Sequence, residues 1–190
     1  MKTFVKVANN MLKSQFLSFY KGSSYESNAS ACYDAIEREL NSLGILTRNT
    51  LIGALATVRV EVGKTYRPIE EYADGSAYEG RIDLGNTQAG DGKRYKGRGF
   101  IQLTGRANYT HYGTVLGIDL VNKPELALDV NNSAKILALY FKERGCNTAC
   151  NAQDWLKCRK LVNGVNRETG LPNGLNDFMT IINQFLKVAI

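Results

Sequence analysis

Apolar positions recur at three- and four-residue spacing over most of this chain, the period of an amphipathic helix rather than of a strand. Phe4, Val5, Ala8, Met11, Leu12 and Phe16 form the first stripe, interrupted by Lys6, Asn9, Asn10, Lys13 and Gln15. This predicts an amphipathic helix within Met1 to Tyr20 that packs on the domain, with no continuous apolar core of an export signal. Ala35, Ile36, Leu40 and Leu43 predict a helix from about Ala31, capped by Ser30 or Asn28 and stopped at Gly44. Leu51, Ile52, Leu55, Ala56 and Val58 follow a cap at Thr47 or Asn49 and lead up to Glu61 and Gly63. Ile136, Leu137, Tyr140 and Phe141 predict a helix opened by Ser133 and closed by Gly145. Trp155, Leu156, Leu161 and Val162 mark another that ends near Gly164, and Leu175 to Leu186 carries the last. A shorter helix is expected over Arg106 to Leu116. Period-two alternation is scarce, so the fold class is mainly α.

Between Lys64 and Gly99 the helical period is lost, and seven glycines fall between Gly75 and Gly99. A stretch of this length inside a compact domain is usually functional or disordered. Tyr66, Ile69, Tyr72, Tyr78, Ile82, Leu84 and Tyr95 are spread through it, which argues for order. The expectation is a loop-rich lobe lining a substrate cleft, with short strands or a β-hairpin inside it. No linker, repeat or low-complexity tract divides the chain, so 1–190 reads as a single two-lobed domain.

The net charge of +6 favours acidic partners such as nucleic acid, anionic lipid or anionic cell-wall polymer, and chooses none of them. No apolar run approaches the roughly 20 residues of a membrane-spanning helix, so no stable membrane association is expected. Cys32, Cys146, Cys150 and Cys158 lack zinc-site spacing. Gly145 and Asn147 suggest a loop around Cys146, and the four are expected as partly buried thiols, with one or two disulfides as the alternative.

The single histidine, His111, excludes most catalytic chemistry. A serine or cysteine triad would need it, and Tyr109-Thr110-His111-Tyr112 contains no nucleophile motif. One histidine builds no multi-histidine metal site, and no phosphate-binding glycine loop is present, so neither metal nor cofactor is expected. Carboxylate chemistry remains. Cleavage of a glycosidic bond needs one protonated carboxyl and a second carboxylate. Glu61 at a predicted helix end, and Glu70, Glu71 and Glu79 in the loop-rich stretch, are the candidates.

The stretch Ala77 to Tyr109 narrows this choice, above all Tyr95-Lys-Gly-Arg-Gly-Phe-Ile-Gln-Leu-Thr104 with Asn108-Tyr109 in register. It resembles the phage lysin branch of glycoside hydrolase family 19, whose other branch is the plant-type chitinases. With Glu61 and Asn163-Gly164, the resemblance covers roughly residues 50 to 180. It implies a lysozyme-like, mainly α fold with a cleft between two lobes, and inversion at the anomeric carbon. It also implies Glu61 as general acid, Glu79 as general base, and Thr104 as the hydroxyl that holds the attacking water. Gln102 and Asn108 match sugar-binding amides, with Tyr95 and Asn163 as further contacts. Glu70 stays open as the alternative to Glu79, a capping role for Thr104 and an ion-pairing role for Arg98 stay open, and Gly97 and Gly99 have the alternative of simply permitting positive torsions.

Two positions depart from the family pattern: Val60-Glu61-Val62-Gly63-Lys64 surrounds the acid, and Asn166 to Asn173 reads as an insertion after Asn163-Gly164-Val165. Lys96 to Leu103 also resembles the first signature of RNA-recognition motifs. That fold needs a sheet and an aromatic where Arg98 stands, so nucleic acid is not expected as a partner. The expectation is an endolysin, a monomeric muramidase acting on peptidoglycan glycan strands, held in the host cytoplasm until released to the wall. A chitinase, or an inactive glycan-binding protein, is the alternative.

Overall fold

The structure, a computed structural model, describes residues 12–187. Of the helix expected over Met1 to Tyr20, residues 12–18 are helical (α1), and the part of that expectation on residues 1–11 lies outside the described residues. The chain divides into two compact units, Met1–Tyr66 with Ala138–Ile190, and Arg67–Leu137.

The first unit is built around α3 (Arg48–Val62). Thr47 caps it, its hydroxyl accepting from the Thr50 N–H at 3.0 Å. Every residue from Thr50 to Val58 is buried, so this helix is apolar nearly all round and needs neighbours on each side. Those neighbours are α2 (Glu26–Ser42), α7 (Cys146–Asn151), α8 (Trp155–Asn163) and α9 (Leu175–Leu186). The described part of α1 joins the core through Phe16, which is 1% exposed and meets Tyr20, Tyr33, Tyr66 and Phe185 at ring separations of 5.2, 5.5, 5.3 and 5.6 Å.

Two expectations here are corrected. Helix α2 starts at Glu26 rather than near Ala31, and neither Ser30 nor Asn28 caps it. The Glu26 carboxylate reaches back to the Gly22 N–H at 2.8 Å, and this fixes the entry one turn earlier. Cys146 and Cys150 lie on a helix, not a loop. Gly145 takes a left-handed conformation (φ 73°) and turns the chain directly from α6 (Val130–Glu143) into α7. All four cysteines are free thiols and fully buried.

The second unit holds β1 (Ile69–Glu70), α4 (Asp91–Arg94), β2 (Arg98–Gly99), α5 (Arg106–Leu116) and the start of α6. Of the short strands or hairpin expected, the structure has short strands, paired antiparallel at Ile69↔Gly99 and Glu70↔Arg98 across a long connection that holds α4, with a further bridge from Arg98 to Leu103. Helix α6 begins at Val130, capped by Asp129, whose carboxylate accepts from the Asn131 and Asn132 N–H groups at 2.9 Å each. Ser133, the expected opener, is buried, and its hydroxyl accepts from the Phe100 N–H at 2.6 Å.

Polar side chains organise the loops between these elements. Asn86, fully buried, donates to the Tyr78 carbonyl at 2.8 Å and accepts from the Arg106 N–H at 2.8 Å. Asp91, 1% exposed, pairs with the Arg106 guanidinium through both carboxylate oxygens, with Nε at 2.8 Å. Those hydrogen bonds hold the Asp91 carboxyl below the ordinary aspartate value of 3.8, against the opposing effect of burial.

A carboxyl with a lower pKa in the folded state adds stability above its unfolded pKa, and that stability is lost as pH falls through the folded value. Asp91→Asn is expected to lower Tm at neutral pH and to flatten the decline of Tm between about pH 4 and pH 2. Melting curves by circular dichroism over that range check this. Parallel declines in the two proteins would remove Asp91 as the titrating group.

Candidate active site

Glu61 is the penultimate residue of α3, whose last turn also carries Val60 and Val62. Its carboxylate, 13% exposed, accepts from Arg159 Nη1 at 2.6 Å. Arg159, on α8, is 2% exposed. It also donates from Nε to the Asn173 carbonyl at 2.8 Å and lies 6.0 Å from the Phe178 ring. Gly174, at φ +68°, closes over this pair, because a Cβ there would stand 3.1 Å from Arg159 Nη2 and 2.8 Å from Val60 Cγ1. The stretch Asn166 to Asn173 therefore supplies a carbonyl that orients the arginine. Asn163, expected as a sugar contact, is exposed at the C-terminal end of α8.

In the second unit, three polar side chains converge on Gly97. A Cβ at this position would fall 2.9 Å from Gln102 Oε1, 3.3 Å from Thr104 Oγ1 and 3.4 Å from the Glu71 carboxyl carbon. Gly97 has no positive φ, so close approach, not torsion, is what requires glycine there; Gly99, at φ 84°, is the torsional case. Glu71 accepts from the Gly97 N–H at 2.9 Å on one oxygen and from the Tyr78 hydroxyl at 3.0 Å on the other. Burial, and then the hydrogen bond to Glu71, push the Tyr78 hydroxyl pKa up, which keeps it a donor. Gln102, held at φ 52°, donates its amide to the carbonyls of Ile69 and Gly99 at 3.1 and 3.0 Å, which leaves its oxygen directed at the same point. Thr104 donates to the Gln102 carbonyl at 2.8 Å. It does not cap α5, whose N-cap is Gly105 without a side-chain bond.

The other expected residues take different places. Glu79 is exposed and accepts from the N–H groups of Gly90 and Gly92 at 2.7 and 2.8 Å, which ties its loop to α4. Glu70 pairs with Lys96 and Arg98, each at 2.7 Å, and Lys96 first, then Arg98, hold its carboxyl below the ordinary glutamate value. Arg98 thus has the ion-pairing role left open above. Asn108 donates to the Thr104 carbonyl at 2.7 Å and is half-buried.

Tyr95, expected as a sugar contact, packs in the interior. It is fully buried, its hydroxyl donates to the Val121 carbonyl at 3.0 Å, and its ring lies 5.3 Å from that of Tyr109. Hydrophobicity drives the ring inward while the backbone carbonyl satisfies its one polar atom. His111 is exposed on α5, with its ring 4.9 Å from that of Tyr112.

Sequence reasoning did not single out Arg159, and it named Glu71 only as one of the candidate carboxylates. Arg159 sits among Lys157 and Lys160, and nothing in that run distinguishes the one buried cation. A signal for Glu71 was present, since Gly97 lies inside the most specific motif and glycine there implies that something must come close.

Among the described residues, no group of three or more histidine, cysteine or carboxylate side chains is arranged to hold a metal ion.

A family model described as chitinase class I matches residues 23–181. A glycosyl hydrolase family 19 domain-containing protein of Haemophilus influenzae is 31% identical over 101 residues, covering 53% of this chain and 48% of that protein. An acidic endochitinase of Petunia hybrida is 44% identical over 80 residues, covering 42% of this chain and 29% of its own length. The chain thus spans half or less of these curated relatives. Chitinase C of Streptomyces griseus superposes with a TM-score of 0.64 at 21% identity, covering 97% of this chain and 76% of that one. A class IV chitinase of Zea mays gives 0.63 at 19%, covering 95% and 89%. At such identities the likeness is one of fold. The family model spans most of the chain, including Glu61, the Gly97 cluster and Arg159, and the chain belongs to glycoside hydrolase family 19.

Proposed function

We propose that this chain hydrolyses β-1,4 bonds of an N-acetylated glycan, and that bacterial peptidoglycan is the substrate, the role of an endolysin. The observation that carries the hydrolase reading is the convergence of a carboxylate, a hydroxyl and an amide oxygen on Gly97. A water held between these side chains has two O–H bonds, one for the Glu71 carboxylate and one for either Gln102 Oε1 or the Thr104 oxygen. Glu61 supplies the other half of the chemistry, protonating the leaving oxygen. The Arg159 guanidinium orients the Glu61 carboxyl and stabilises the carboxylate left after proton transfer.

The general base expected at Glu79, with Glu70 as its alternative, is reassigned in this proposal to Glu71. All three carboxylates accept hydrogen bonds, Glu79 from two loop amides, Glu70 from two cations and Glu71 from the Gly97 N–H and the Tyr78 hydroxyl. What favours Glu71 is that the Thr104 hydroxyl and the Gln102 amide oxygen approach Gly97 together with it. Inversion at the anomeric carbon goes with a water-activating carboxylate and is proposed with it. The net charge of +6 favours the anionic wall polymer. Three of the four relatives named above are described as chitinases, so chitin is the second reading.

Purified protein is added to peptidoglycan sacculi and to colloidal chitin, and the released ends are identified by mass spectrometry. New reducing-end N-acetylmuramic acid supports the muramidase. Chitin oligomers alone would move the substrate to chitin, and no product from either would overturn the hydrolase reading.

Glu61→Gln is expected to abolish turnover. It also leaves the Arg159 charge without its partner, and breaking a buried pair costs about 3–5 kcal/mol. A lowered Tm in this variant is therefore expected, and activity is compared below that temperature. Among the second carboxylates, Glu71→Gln is expected to lower kcat by at least about 100-fold, the usual scale of general base catalysis. Glu70→Gln and Glu79→Gln are expected to act mainly on Tm. A kcat loss centred on Glu79 with Glu71→Gln active would return the base to Glu79.

A further inference from the structure

Tyr72 is 100% exposed, directly after the carboxylate assigned above to activate water. A lone exposed aromatic is ordinary on a protein surface and by itself implies nothing. What sets Tyr72 apart is the backbone that carries it. The Lys96 ammonium, on a side chain only 14% exposed, donates to the Glu71 carbonyl and to the Ala73 carbonyl at 3.2 Å each, on either side of Tyr72. The same ammonium is anchored by Glu70 at 2.7 Å. The Glu71 N–H donates to the Gly97 carbonyl at 2.9 Å, and the Gly97 N–H returns to the Glu71 carboxylate. Just downstream, Asp74 accepts from the Ser76 N–H at 2.9 Å. Loop backbone is normally the mobile part of a surface. Here a largely buried cation and the edge of the small sheet hold a ring in full contact with water.

We infer that Tyr72 is a preformed stacking platform for one pyranose ring of the glycan, beside Glu71; this rests on the hydrolase reading above. A pyranose presents an apolar face of axial C–H groups, which an aromatic ring covers, while a tyrosine hydroxyl stays available to the sugar's polar rim. Tyrosine gives this contact area at low cost in side-chain entropy, since only two torsions are frozen. Holding the backbone in advance removes the loop-ordering cost that a mobile aromatic would incur on binding. Lys96 is then a positioning residue, acting on the sugar only through the backbone it holds.

The test compares Tyr72→Ala, Tyr72→Trp and Lys96→Met with the wild-type protein on sacculi and colloidal chitin. Binding of a soluble N-acetylglucosamine hexamer is measured in parallel by titration calorimetry. Tyr72→Ala is expected to weaken hexamer binding and raise KM about tenfold, with kcat changed less than about twofold, and Tyr72→Trp to restore both. Lys96→Met is expected to weaken hexamer binding and raise KM in the same direction, once melting curves show that it is folded at the assay temperature, and unchanged binding and KM would remove Lys96 as the positioning residue. Unchanged binding and KM in Tyr72→Ala, with the wild type active, would overturn the platform and leave the hydrolase reading intact. A collapse of kcat that Trp does not rescue would also overturn it, by making Tyr72 part of the chemistry. If the wild type cleaves neither polymer, the hydrolase reading falls, and the calorimetry still decides whether Tyr72 binds sugar.

Discussion

The Arg67–Leu137 unit depends on one buried guanidinium. Arg98, 7% exposed, donates to Glu70 at 2.7 Å, to the Arg94 carbonyl at 2.8 Å and to the Tyr109 hydroxyl at 3.2 Å. Its backbone meanwhile pairs with Glu70 on one side and Leu103 on the other. A stretch with so little regular structure has few ladders in which to satisfy its backbone groups, and unsatisfied ones are costly when buried. A rigid fork of donors meets several of them at once. Asn86 and the Asp91–Arg106 pair do the same for the glycine-rich loops, so this unit is held by a polar framework more than by an apolar core.

The other unit is built on the opposite principle. Helix α3 is buried from Thr50 to Val58 by largely apolar packing, and its charged residues, Arg48, Arg59 and Glu61, lie at its two ends. The Glu61–Arg159 pair is buried, and such pairs contribute little to net stability. Its value lies in orientation. Asn173, Phe178 and Gly174 surround the guanidinium, so the carboxyl of Glu61 has one preferred position rather than the freedom of a surface glutamate. Orientation of this kind is what the proton-donor role proposed for Glu61 requires.

The carboxylates of the second unit show how alike residues are sorted by their surroundings. Glu70, Glu71 and Glu79 are near neighbours in sequence, yet one neutralises two cations, one stands at a cluster of polar side chains, and one binds loop amides. Tyr72 and Tyr95 are sorted in the same way: the first is wholly in water and the second wholly out of it. Residue type is common to each set, and only contacts that come from distant parts of the chain separate its members.

The helices of this chain were legible because their signals are local. The three-to-four-residue period placed α5 at Arg106–Leu116 and α9 at Leu175–Leu186, and Thr47 and Gly164 marked two ends correctly. The motif from Tyr95 to Thr104 likewise marked a stretch on which the second unit's polar contacts concentrate. It was read as a set of contacts when much of it is support: Tyr95 packs, Arg98 pairs, and Gly97 makes room. The start of α2 was misjudged because a glutamate reached back across a turn, and α7 was missed because a glycine joined two helices without a loop. Arg159 on Glu61, and Glu71 beside Thr104, bring together residues far apart in the chain. Helical period and capping are properties of a few consecutive residues and can be read in order. Which carboxylate meets which partner depends on the packing that folds distant segments together, so the tertiary structure alone decided it.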